Sequence, residues 1–62
     1  MDEKTLNEMS INDVIHSELD DTTYIVRTAD GFAVCDNGEE VNVTTATEAL
    51  RIVYENAEQN NS

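Results

Sequence analysis

Residues Thr22 to Thr44 read TTYIVRTADGFAVCDNGEEVNVT, and everything outside this stretch has to be fitted to how it pairs. Apolar and polar residues alternate on either side of an Asp30-Gly31 step and an Asn37-Gly38 step, the pattern of three short antiparallel strands joined by two turns. A three-residue loop Ala29-Asp30-Gly31 with a left-handed Gly31 sets Thr28 opposite Phe32 and Val26 opposite Val34. A two-residue type I′ turn at Asn37-Gly38 sets Asp36 opposite Glu39, Val34 opposite Val41 and Phe32 opposite Val43. On that pairing Tyr24, Val26, Phe32, Val34, Val41 and Val43 share one face, and Ile25, Arg27, Ala33, Cys35, Glu40 and Asn42 the other. A two-residue loop at Asp30-Gly31 pairs Arg27 with Val34 and spoils the agreement, so the longer loop is expected.

The flanks read as helices. Ser10 is placed as an N-cap, with Asp13 as a variant capping box, Met9 and Val14 as a hydrophobic staple, and Ile11, Val14, Ile15 and Leu19 on one face. That predicts a helix over 10–20, preceded by a frayed arm or short turn at 1–9. Thr45 with Glu48 forms a capping box for a helix over 45–58, whose stripe is Ala46, Ala49, Leu50, Val53, Tyr54 and Ala57, with 59–62 as a tail. The expected architecture is α+β in one domain, 1–62: helix, three-stranded meander over 22–44, helix, with both helices covering one sheet face. The uncovered face then carries Ile25, Ala33 and Cys35, rimmed by Arg27, Glu40 and Asn42. Scattered surface apolar residues are ordinary, and the competing reading is a self-association or docking face.

Fourteen Asp and Glu stand against three Lys and Arg, a formal net charge of −11 in a chain of 62 residues. Such a field repels nucleic acid and anionic membranes and attracts basic proteins. The acidic opening MDEKTLNEMS has no apolar core run, so it reads as neither a secretion signal nor a membrane anchor, which points to the cytoplasm and a reduced thiol. Following the meander as a path brings the strand start, the Asn37-Gly38 turn and the close of both helices to one end. Glu18, Asp20, Asp21, Asp36, Glu39, Glu40, Glu55 and Glu58 are expected to form an acidic pole there. Two readings compete for it, a solvated face that keeps a small chain soluble and a surface that imitates a polyanion.

Catalytic and metal chemistry find little purchase in the residues. His16 is the single histidine and falls off the apolar stripe. Cys35 has Ile25 and Glu40 as expected neighbours, which raise a thiol pKa rather than lower it. No stretch has the calcium-loop spacing, both glycines belong to turns, and no cofactor is expected. The chain is read as a non-enzyme.

The opening helix Ser10-Ile11-Asn12-Asp13-Val14-Ile15, the Tyr24-Ile25-Val26-Arg27 strand, the Asp36-Asn37-Gly38-Glu39-Glu40-Val41 hairpin and the closing helix resemble phage-encoded anti-CRISPR proteins that block type II effector nucleases. The resemblance implies an inhibitor that occupies a basic channel meant for DNA, acting in the host cell cytoplasm. This chain departs from that pattern in having one closing helix and no long acidic tail. Two functions remain open: a DNA-mimicking inhibitor of a basic nucleic-acid-handling protein through the acidic pole, and a small regulatory or structural module, monomer or homodimer, acting through Ile25, Ala33 and Cys35.

Overall fold

A computed structural model describes residues 1–19 and 22–60. In chain order the elements are α1 (Glu3–Asn7), β1 (Val14–His16), β2 (Thr23–Thr28), β3 (Gly31–Asp36), β4 (Glu39–Val43) and α2 (Ala46–Asn60). The fold is α+β, with a four-stranded antiparallel sheet in the order β1-β2-β3-β4.

The β3–β4 hairpin has the expected register, Asp36 opposite Glu39, Val34 opposite Val41 and Phe32 opposite Val43. Asn37 at φ 50° and Gly38 at φ 90° supply the two left-handed residues that a type I′ turn requires. α2 also starts where expected: the Thr45 hydroxyl accepts from Glu48 N at 3.2 Å and its carbonyl accepts from Ala49 N at 3.1 Å.

The β2–β3 register differs by one residue. The loop is the two-residue Ala29-Asp30, and Thr28 pairs with Gly31, Arg27 with Phe32 and Ile25 with Val34. Gly31 is thus the first residue of β3 and not part of the loop. What demands a glycine there is crowding: a Cβ on Gly31 would lie 2.3 Å from Val43 O and 2.7 Å from Thr44 Cα, where β4 ends. Because side chains alternate, this single step turns β2 over. Ile25 goes into the core at 0 % exposure, and Tyr24 and Val26 move to the opposite face.

The helix expected over 10–20 does not form. Asp13 Oδ2 accepts from Ser10 N, as a capping box requires, but Asp13 N donates to the Ser10 carbonyl rather than to its hydroxyl, both at 2.9 Å, so the pair closes a turn instead. Asn12, at φ 76°, is left-handed and stops helical propagation. The β-branched pair Val14-Ile15 then joins the sheet as β1, with Val14 opposite Val26 and Ile15 opposite Ile25. Ile11, Val14 and Leu19, assigned to a buried helix face, are 60 %, 51 % and 54 % exposed. Helix forms earlier, inside the expected arm, where Asp2 caps Thr5 N at 2.8 Å and the fully buried Leu6 anchors α1.

Leu6, Ile25, Phe32, Val34, Ala46, Ala49 and Val53 make the core. Burying each of the larger side chains contributes about 1.5–3 kcal/mol before conformational entropy is charged against it. Small residues at Ala46 and Ala49 let the first turns of α2 approach the sheet closely. Arg27, on the same side as Phe32, lays its guanidinium 4.5 Å over that ring and donates from Nη1 to Leu6 O at 3.3 Å, binding the end of α1 to β2.

Candidate functional site

Acidic residues gather where β3 turns into β4. Asp36 and Glu39 sit directly opposite one another, and Glu40 follows across from Cys35. The hairpin turn fixes this juxtaposition independently of β2, which is why it survives the register change. The Thr22 hydroxyl donates to Asp36 Oδ1, fastening the start of β2 to the same end. Opposed like charges on neighbouring strands cost roughly 0.2–1 kcal/mol, so this end is assembled against its own repulsion.

Glu18 reaches that end from the other side of the sheet. Ser17 N donates to Thr23 O at 2.9 Å, and Thr23 pairs with Asp36, so Glu18 lies about two strand spacings, ~10 Å, from the Asp36 row. It also lines a shallow cleft of about 110 Å³ with Met1, Ser17, Leu19, Leu50, Val53 and Tyr54. The cleft is well below the ~300 Å³ at which small-molecule pockets begin. Its shared wall places the third turn of α2 beside the end of β1. Glu55 and Glu58, also assigned to the pole, are exposed residues of α2 that follow Tyr54 in the chain. Asp20 and Asp21, also assigned to the pole, lie outside the described residues.

The sheet face away from the core holds a row absent from the sequence reading. His16 pairs with Tyr24, Tyr24 with Cys35 and Cys35 with Glu40, so four functional side chains line up across all the strands. The His16 and Tyr24 rings are 5.7 Å apart, and Cys35 Sγ donates to Glu40 Oε1 at 3.7 Å. Burial pushes the Cys35 thiol up, against the lowering effect of the Tyr24 hydroxyl beside it, and the Glu40 carboxylate raises it further. Tyr24 is raised in turn, first because its hydroxyl donates to the Cys35 sulfur. Cys35 and Tyr24 therefore keep their protons, and the row offers no thiolate at neutral pH. Only β1 as a strand, with the correct β2 register, reveals it.

The proposed self-association face needs correction. Ala33 and Cys35 do lie on the face away from the core, but at 4 % and 8 % exposure they are covered by their neighbours, and Ile25 is on the core side. Val14 and Tyr24, at 51 % and 37 % exposure, are what that face presents.

Among the described residues, no three His, Cys, Asp or Glu side chains converge on a point where a metal ion could sit. No helix among them is long and apolar enough to cross a membrane. Fold and site together define a small, strongly acidic α+β domain with Asp36, Glu39 and Glu40 at one end of its sheet. No protein-family model, curated protein or solved structure matches the chain.

Proposed function

We propose that this chain is a non-enzymatic binding protein that stands in for DNA on the phosphate-binding surface of a basic nucleic-acid-handling protein. The partner would be a nuclease of the CRISPR or restriction type, or another DNA-binding protein. The observation that carries the reading is the Asp36–Glu39 pair, two carboxylates held face to face with Glu40 behind them. Stability alone favours a lysine at one of these positions. A surface that must meet cations favours what is there.

Density supports the same view. The accessible surface is 4162 Å², so fourteen acids spread evenly give about one per 300 Å². Duplex DNA carries a charge every ~1.7 Å of axis, which over a cylinder ~20 Å thick is about one per 100 Å². On this reading the eight carboxylates assigned to the pole from the sequence, on about a third of the surface, narrow that gap to about a factor of two. The two shorter dimensions, 22 and 16 Å, are also close to the thickness of a duplex. The resemblance of the hairpin and closing helix to type II anti-CRISPR proteins points to such inhibitors as the class, with a phage source and the host cytoplasm as the setting.

The test is capture of basic proteins from host lysate and, for any nuclease captured, competition against its DNA. Binding should be nanomolar to micromolar and fall steeply with salt. Asp36→Asn, Glu39→Gln and Glu40→Gln combined should weaken it at least 30-fold. Binding indifferent to both salt and the triple variant would refute the reading. The alternative, a module docking through Ile25, Ala33 and Cys35, loses its largest contact now that Ile25 belongs to the core.

A further inference from the structure

The outer edge of β4 is left without a role by the fold. Arg27 N donates to Asp13 O and Ser17 N to Thr23 O, both at 2.9 Å, so the odd-numbered residues of β2 point their main-chain groups at β1. Alternation aims Tyr24, Val26 and Thr28 at β3, and the registers carry it onward: Phe32, Val34 and Asp36 bond to Val43, Val41 and Glu39. Glu40 and Asn42 are therefore the residues of β4 whose N–H and C=O groups point away from β3. The sheet order stops at β4, so these groups face outward.

We propose that this edge receives an extended, basic segment of the partner as a fifth strand, hydrogen-bonded to the main chain of Glu40 and Asn42. The proposal rests on the reading of a basic partner and specifies how that partner is held. Charge selects the occupant. A second copy of this chain brings another −11, and edges that meet at residue 40 set Glu40 against Glu40. A strand carrying Lys or Arg reverses that effect. Glu39 and Glu40 project on opposite faces of β4, so cations on either side of the added strand find a carboxylate, and Val41, 45 % exposed, offers an apolar contact between them. The opposite edge, β1, is three residues long and contains no carboxylate; Asp13, just before it, is engaged with Ser10 N.

The experiment uses two synthetic octapeptides of alternating lysine and threonine, one of them N-methylated at every residue, added at low salt to the isotope-labelled chain. N-methylation keeps the charge and removes the donors of both edges. The unmethylated peptide should bind at least tenfold more tightly and slow hydrogen exchange at the Glu40 and Asn42 amides at least tenfold. Asn42→Pro, which deletes an outward N–H and no bond to β3, should abolish the difference; the methylated peptide makes the same comparison on the unaltered chain. Equal binding with Glu40 and Asn42 unprotected, or protection at Val14 and His16 instead, overturns edge pairing and leaves the basic-partner reading intact. Failure of both peptides to bind overturns both.

Discussion

Ile25 and Val26 are chain neighbours on opposite faces of β2, so truncating each in turn reads out the register directly. Ile25 is fully buried, paired with Val34 and clustered with Phe32 and Val53, while Val26 is half-buried on the opposite face of β2. Ile25→Ala should therefore remove about 2–5 kcal/mol. Val26→Ala should cost ~1 kcal/mol or less. A domain of this length has about 3–9 kcal/mol in total, so the first variant loses about a fifth or more of its stability and its thermal midpoint falls by at least ~10 °C. Urea unfolding followed by circular dichroism measures both, and Ile25→Val, at about 0.5–1.5 kcal/mol, keeps the comparison measurable if the alanine variant does not fold. A larger loss from Val26 than from Ile25 would refute the two-residue loop and restore the three-residue one. The same geometry means that Ile25→Glu unfolds the chain and reports nothing about self-association.

Gly31→Ala, whose Cβ meets main-chain atoms at 2.3 and 2.7 Å, should cost about 1–3 kcal/mol by chemical denaturation and displace the end of β4. Arg27→Ala removes both the stacking on Phe32 and the bond to Leu6 O; a loss of about 1–2 kcal/mol is expected, with faster hydrogen exchange in α1, and lysine should not restore it. Asp36→Asn should raise stability by roughly 0.2–1 kcal/mol while weakening partner binding, an opposition visible by running denaturation and capture on one variant. For Cys35, whose folded thiol is pushed up by burial, the sign follows from the raised value. Its contribution is whole below the unfolded thiol's pKa of ~8.5 and declines as pH rises above it. The urea midpoint should fall between pH 8 and pH 10, the Cys35→Ala variant should fall less, and alkylation of the folded thiol at pH 8 should be at least tenfold slower than in urea.

How far the sequence could be read depended on how local each signal was. Asn37-Gly38 is a turn whose backbone demand and residue types coincide, and Thr45 with Glu48 closes a helix start over four residues; both stand in the structure. Asp30-Gly31 misled because the glycine answers a tertiary contact, the passage of Val43 and Thr44 over the start of β3, and nothing in the strand's own alternation records that neighbour. Ser10 and Asp13 misled differently. The Asp13 carboxylate meets Ser10 N in a helix start and in a tight turn alike, and the choice fell to Asn12 and to the vacant edge of β2, which gains Val14 and Ile15 as a partner. The acidic end was legible where it relied on the Asn37-Gly38 hairpin, at Asp36, Glu39 and Glu40. The His16–Tyr24–Cys35–Glu40 row was not, since it needs two registers at once.

A sheet in which every strand bonds only to its predecessor and successor closes through short loops, so its assembly requires no distant encounter. Each hairpin can close in microseconds, ahead of the docking of α2. Ile25, Phe32 and Val34 then stay bare until Ala49 and Val53 cover them. During that interval mutual repulsion between the carboxylates of neighbouring chains is what keeps those uncovered side chains from meeting.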